Sequence, residues 1–114
     1  MTEKQLGDYI AANFSTIFPD YIFVKREFKL LNGSKIDFYA IEKETNRDVI
    51  IELKIGKCNP NNQLLSYGYY FFNPILVGIV GDQFKSFQEE IQYINHTEIF
   101  QRTNQKKCYV NIFS

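Results

Sequence analysis

The sequence predicts an α/β (α+β) fold, a mixed central sheet flanked by helices. Three observations carry this. An amphipathic stretch opens the chain, three strand-like segments follow it in succession, and an almost wholly apolar segment, PILVGIVG, comes after an intervening helix. Strands on both sides of a helix imply a sheet with helices packed on it. The 114 residues fit one domain spanning 1–114.

Leu6, Ile10, Phe14 and Ile17 recur at helical spacing, so residues 3–17 read as a helix with Thr2 as N-cap and Pro19-Asp20 as its stop. Residues 21–30 are rich in β-branched and aromatic side chains and read as a strand. Asn32-Gly33 is a hairpin turn signal. Residues 35–42 and 48–55 read as the second and third strands, joined by a turn at 43–47. Asn59 caps a helix with Pro60 at its first position, running through NNQLLSYGYYFF, although Gly68 weakens it. Residues 74–81 read as a strand buried on both faces. Asp82 caps a further helix to about Tyr93, and TEIFQR and KCYVNIF close the chain as short strands. The predicted order is αβββαβ, then a helix and short strands.

Composition excludes several classes. With 45% apolar and 17% aromatic residues, the chain is not disordered. Cys58 and Cys108 make neither a disulfide framework nor a zinc site. The charged N-terminus has no signal-peptide character, and PILVGIVG is too short to span a bilayer, so a cytoplasmic (intracellular) setting without membrane attachment is expected. Formal net charge is zero, so any polyanion must be met by local positive charge. Lys25, Arg26, Lys29 and Lys35 form one basic run, and Arg102, Lys106 and Lys107 another; each is as readily a solvated face.

The chemistry concentrates on the second and third strands. Side chains alternate along a strand, so Val49, Ile51, Leu53 and Ile55 share one face while Glu52 and Lys54 share the other. Folding these strands into a hairpin about Glu44–Thr45 sets Phe38 against Ile51, Ala40 against Val49 and Ile36 against Leu53. Every apolar residue then meets an apolar residue, which specifies the register. The same register sets Asp37 directly across from Glu52, with Cβ atoms about 5 Å apart. Two such carboxylates repel unless a divalent cation lies between them. Mg²⁺, which takes oxygen ligands and keeps several waters, suits one or two carboxylates plus a substrate phosphate. Lys54, beside Glu52, stands where it can orient a metal-bound water or stabilise charge on phosphorus. The bland alternative, Glu-x-Lys as a surface ion pair, contributes at most about 1 kcal/mol. It does not explain the opposed Asp37. Lys35 falls opposite Lys54 and Lys57 follows it, at the lip of the site where they can hold a DNA backbone. His96 reads as a solvated loop residue and Cys58 as a partly buried free thiol.

Gly33, Ile36-Asp37, Ile51-Glu52-Leu53-Lys54 and Gln63-Leu64-x-x-Tyr67 together resemble the PD-(D/E)XK nuclease superfamily, restriction-endonuclease-like in fold. The likeness is to its RecB-like branch, which includes archaeal and actinobacterial mismatch and branched-DNA endonucleases. It extends from about Thr2 to Val80. It implies a Mg²⁺- or Mn²⁺-dependent DNA endonuclease. Asp37, Glu52 and the Leu53 carbonyl would be metal ligands, Lys54 the catalytic lysine, and Gln63 would position the lysine or the substrate. Gln63 and Tyr67 lie four apart and share a helix face; Tyr67 reads either as a nucleic-acid contact or as core. The family often carries a Glu on its first helix, where this chain has Gly7. Glu3 is then the substitute ligand, with Asp8 nearby. That departure keeps open a catalytically inactive nuclease-fold module that binds nucleic acid or a protein. A homodimer, or a subunit of a larger nuclease system, is expected because one compact domain covers few phosphates.

Overall fold

A computed structural model describes the backbone of residues 1–113 and the side chains of residues 1–104. The elements are α1 (Glu3–Ala12), α2 (Phe14–Ile17), β1 (Tyr21–Lys29), β2 (Lys35–Glu42), β3 (Asp48–Leu53), α3 (Asn61–Gly68), β4 (Ile75–Val80), β5 (Ile91–Asn95) and α4 (His96–Phe113). The strands form one mixed sheet in the order β1-β2-β3-β4-β5. β1, β2 and β3 are antiparallel neighbours, whereas β4 runs parallel to β3 and β5 parallel to β4. The mixed sheet flanked by helices is the predicted architecture. Among the described residues no helix is long and apolar enough to cross a membrane.

Thr2 caps α1 as its sequence position predicts: its hydroxyl accepts the Gln5 amide at 3.1 Å and Gln5 Oε1 accepts the Thr2 amide at 2.8 Å. This reciprocal box satisfies two donors that a helix start leaves unpaired. The predicted 3–17 helix is broken at Asn13, whose side chain donates to the Tyr9 carbonyl at 2.8 Å. The Asn32-Gly33 turn forms, with Gly33 at φ +89° and the Leu30 amide bonded to the Ser34 carbonyl. α3 begins one residue after Pro60 and stops at Gly68, short of the predicted NNQLLSYGYYFF span; Asn59 Oδ1 accepts the Asn61 amide at 2.8 Å.

Two apolar layers sandwich the sheet. Leu6, Ile10, Phe14, Ile17 and Ile99, from α1, α2 and α4, pack on Phe38, Ile51, Leu53, Val77 and Ile79. On the other face Leu64 and Tyr67 of α3 pack on Ile36, Ile50 and Leu76. All six residues of β4 are buried, as the PILVGIVG run requires.

The C-terminal third departs from the sequence reading. Residues 82–90 are irregular chain with turns at 82–83 and 89–90 rather than a helix, and 91–95 form the edge strand β5. Phe84 and Phe87 leave helical spacing to cluster on Tyr93, with ring centroids 5.0 to 5.3 Å apart. Ile91 and Ile94 fall on opposite faces of the sheet, each in a different apolar layer. TEIFQR and KCYVNIF belong to α4 instead of strands; the side chains of KCYVNIF lie outside the described residues. Asn95 Oδ1 accepts the Glu98 amide at 2.8 Å and caps this helix.

Candidate active site

The β2–β3 ladder pairs Ile41 with Asp48, Ala40 with Val49, Tyr39 with Ile50 and Phe38 with Ile51, the register deduced from apolar matching. One step further the pairing changes character. The Asp37 amide donates to Glu52 Oε1 at 2.9 Å, and the Leu53 amide donates to Asp37 Oδ2 at 2.8 Å. Carboxylate oxygens thus serve as the acceptors where main-chain carbonyls serve in a continuous ladder. The predicted opposition of Ile36 and Leu53 is not made. Ile36 packs with Leu30, Ile50 and Leu64 beneath α3, whereas Phe38 and Leu53 face α1. On β1, Arg26 pairs with Phe38 and Phe28 with Ile36, so Glu27 stands level with Asp37, and its φ is +54°. The irregularity therefore spans β1 and β2 at this level. Breaks of this kind re-aim side chains, and here they turn Asp37 into the gap toward β3.

Glu52 is 2% exposed. Burial, then the charge of Asp37, pushes its carboxyl up to about 8; the Asp37 amide and Lys54 pull in the other direction without balancing them. Tyr67, 7% exposed, is also raised, by burial first and then by the charges of Glu52 and Asp37. Gln63, one turn earlier, has a buried Oε1 with no bonding partner among the described residues. A buried acceptor left open is uncommon in a folded chain, and this one belongs to the helix that covers the carboxylates.

Lys54 follows the last residue of β3 and is half-buried. Its amide donates to the Ile79 carbonyl at 2.9 Å, and its carbonyl meets His96 Nε2 at 2.8 Å. His96 is thus not a solvated loop residue. It opens α4 and clasps the backbone of Lys54, a role with no local sequence motif to announce it. The cap before it did leave a signal, since Asn95 followed by Glu98 three residues on is a helix-start pattern.

The other predicted residues divide. Glu3 lines the same cleft as Asp37 but is exposed. Lys35 is exposed and pairs with Lys29 on β1, not with Lys54. Lys57 is exposed in the loop after β3, as is Cys58, which is not the partly buried thiol expected. Tyr67 lies behind the carboxylates in the core. Arg102 is not a free surface cation: Nη1 donates to the Ile17 carbonyl at 2.6 Å and the guanidinium lies 5.9 Å from the Phe18 ring centre. The sequence places Arg26 only in a basic run, with no sign of its link to Gly7. A Cβ on Gly7 would come within 2.6 Å of Arg26 Nη2, so the guanidinium occupies the place of the missing side chain.

The cleft between α1 and the sheet measures about 580 Å³ and includes Gly7, Asp8, Arg26, Glu27, Asp37 and Leu53 in its walls. No group of three or more His, Cys, Asp or Glu side chains is placed to hold a metal among the described residues. Two carboxylates in the sheet gap still fit a hard divalent cation, which accepts few protein oxygens when substrate and water complete its shell. The upward shift of Glu52, from burial first and then from the charge of Asp37, is of the kind that a cation between the carboxylates would offset.

No family model matches the sequence, and no curated protein matches it significantly. The fold is shared with solved structures, among them these two. One is a repair endonuclease from Pyrococcus abyssi, with a TM-score of 0.65 and 17% identity over 83% of this chain and 46% of that one. The other is EndoMS in a complex with double-stranded DNA, with a TM-score of 0.63 and 19% identity over 82% of this chain and 44% of that one. The chain therefore has the fold of part of these endonucleases and spans under half the length of either.

Proposed function

We propose that this chain is a divalent-metal-dependent DNA endonuclease of the PD-(D/E)XK type, in its RecB-like branch. The observation that carries the reading is the interlock of Asp37 and Glu52 in the sheet gap, with Lys54 two residues on. The shared fold with a repair endonuclease and with EndoMS bound to DNA supports it.

Mg²⁺ or Mn²⁺, when bound, would supply an activated water and polarise the scissile phosphate. Asp37, Glu52 and the Leu53 carbonyl would hold it. Each carboxylate already spends one oxygen on a main-chain amide, which fixes its direction and leaves the other oxygen for a ligand. Lys54 follows directly and carries the positive charge suited to orienting the attacking water and to offsetting charge on the phosphate oxygens. Gln63 Oε1 offers a further acceptor for the Lys54 ammonium or for a water in the site. A homodimer, or assembly into a larger nuclease system, would extend the DNA contact; light scattering after size exclusion measures this, and a concentration-independent monomer would remove the dimer.

The test is cleavage of labelled duplex, branched and single-stranded DNA with Mg²⁺ or Mn²⁺. The wild type should cut at least one substrate, and Lys54→Ala should cut none while keeping its melting transition. Absence of metal-dependent cleavage on all three substrates would sink the enzymatic reading. One observation favours a second reading, a silent nuclease-fold module: the guanidinium of Arg26 stands where the family often has a first-helix carboxylate. Calorimetric titration with Mn²⁺ separates the two, because only the enzyme requires a site that disappears in Asp37→Ala.

A further inference from the structure

We propose that Arg26, whose guanidinium fills the space that Gly7 leaves, is a phosphate-binding residue that seats the DNA backbone at the α1 end of the cleft. This rests on the endonuclease reading and adds a contact that the sequence motif does not contain.

Three observations support it. First, Arg26 is placed by the fold. It pairs with Phe38 across β1–β2, and its guanidinium carbon lies 5.7 Å from the centre of the Phe38 ring. Asp37, the residue before Phe38, is in the same cleft wall. Second, the fork is only partly used. Nη1 donates to Asp8 Oδ1 at 2.6 Å, while Nη2 points at Gly7 and has no acceptor among the described residues. A planar guanidinium with free donors matches the paired oxygens of a phosphate better than an ammonium does. Third, Arg26 is one of only two cations among the described residues of the cleft wall. Glu3, Asp8, Glu27 and Asp37 all line the cleft, against only Lys4 and Arg26 on the positive side. A DNA backbone entering such a wall meets repulsion unless a fixed cation receives it. Lys4 is 85% exposed, whereas the Arg26 side chain is 35% exposed and packed. Asp8 is then the resting partner, exchanged for phosphate when DNA enters. The side chain is held ready and released at little cost, since an exposed ion pair is weak.

The test is anisotropy of a fluorescent DNA duplex with the full chain in EDTA, where binding is read without cleavage, over a series of KCl concentrations. Removing one phosphate contact reduces the slope of log K against log [salt] by about 0.9. Arg26→Ala should show that reduction and about tenfold weaker binding, with an unchanged melting curve. Arg26→Lys should recover the slope but not the full affinity, because it restores the charge and not the fork. If Arg26→Ala fails to fold, Gly7→Ala takes its place: the added Cβ lands 2.6 Å from Nη2, displaces a flexible side-chain end, and should weaken binding in the same sense. Lys43→Ala, exposed on the turn at the far end of the β2–β3 hairpin, supplies the comparison for loss of a cation elsewhere. A slope and affinity for Arg26→Ala equal to the wild type overturn this assignment and leave the endonuclease reading standing on its cleavage assay. A wild type that binds duplex DNA at no salt concentration also overturns this assignment, whereas the endonuclease reading falls only if metal-dependent cleavage is absent on all three substrates.

Discussion

Asp37 and Glu52 hold each other through the main chain: the amide of Asp37 donates to Glu52 Oε1, and the carboxylate of Asp37 accepts the amide that follows Glu52. Neither side chain is free to swing away from the other. Like charges on directly opposed strand positions destabilise a sheet. Here that cost is built into a gap where only a proton or a cation can relieve it. Two consequences are measurable.

The first is a pH dependence of stability in the absence of metal. Glu52 titrates near the usual 4.5 when unfolded and at about 8 when folded, chiefly through burial and then the charge of Asp37. Between those values the folded chain binds more protons than the unfolded one, so stability falls as pH rises. The contribution is fully present below about pH 4.5 and is lost by the time pH passes about 8. Urea unfolding at pH 5.5 and pH 8.5 in EDTA should differ by on the order of 2 kcal/mol, the higher pH being the less stable. Adding Mn²⁺ should restore stability at pH 8.5 and much less at pH 5.5. A metal-free profile that rises through this window contradicts the assignment of Glu52.

The second concerns Glu52→Gln. The amide oxygen can still accept the Asp37 N–H, so the interlock survives, while the buried charge is gone. The variant should match the wild type at pH 5.5, exceed it at pH 8.5 without metal, and lose the Mn²⁺-dependent gain. DNA cleavage should fall by at least about 100-fold. A variant that is more stable and inactive separates the cost of the site from its use.

Lys54 and His96 make a third case. The Lys54 amide is fixed by Ile79 and its carbonyl by His96 Nε2 at 2.8 Å, so the side chain projects from a backbone pinned on both sides. His96→Ala should cost about 1 kcal/mol, one hydrogen bond to a carbonyl. On the proposed role of Lys54 it should lower kcat by about tenfold or more with little change in KM, since a small displacement of a reacting group is expensive. His96→Gln, which keeps a donor, should recover most of the loss. Equal kcat in His96→Ala and the wild type would reduce the histidine to an ordinary helix-start contact.

How much of this was legible in the sequence follows from where each signal was stored. The β2–β3 register was readable because apolar residues on one face of each strand fit in only one alignment, and that alignment carries Asp37 to Glu52. The side-chain bonds that interrupt the ladder were not readable, since alternation extrapolates a regular strand and Ile36 leaves it. Residues 82–95 have apolar spacing compatible with a helix. They become a turn and β5 because β4 offers a parallel edge, a long-range partner that no local window contains. Gly7 stood out as a departure, but Arg26, which fills its place, is brought there only by the pairing of β1 with β2.

The support behind α3 yields the last prediction. Asn61 is 4% exposed at the start of that helix. Its Oδ1 accepts the Tyr93 hydroxyl at 2.7 Å and its Nδ2 donates to the Ser86 carbonyl at 2.6 Å, while the same hydroxyl accepts the Gln88 amide at 2.9 Å. One side chain thus ties the helix carrying Gln63 and Tyr67 to the turn before β5. Asn61→Ala leaves the half-buried Tyr93 hydroxyl and the carbonyl of exposed Ser86 without their partner, at a cost of about 1–2 kcal/mol. By comparison, Asn62→Ala, exposed at the next position, should change stability by less than about 0.5 kcal/mol. Because α3 covers the carboxylates, Asn61→Ala should also weaken Mn²⁺ binding measured by calorimetry, although Asn61 touches neither Asp37 nor Glu52. If Asn61→Ala lowers stability and leaves Mn²⁺ affinity unchanged, α3 is a structural cover alone and its Gln63 has no part in the metal site.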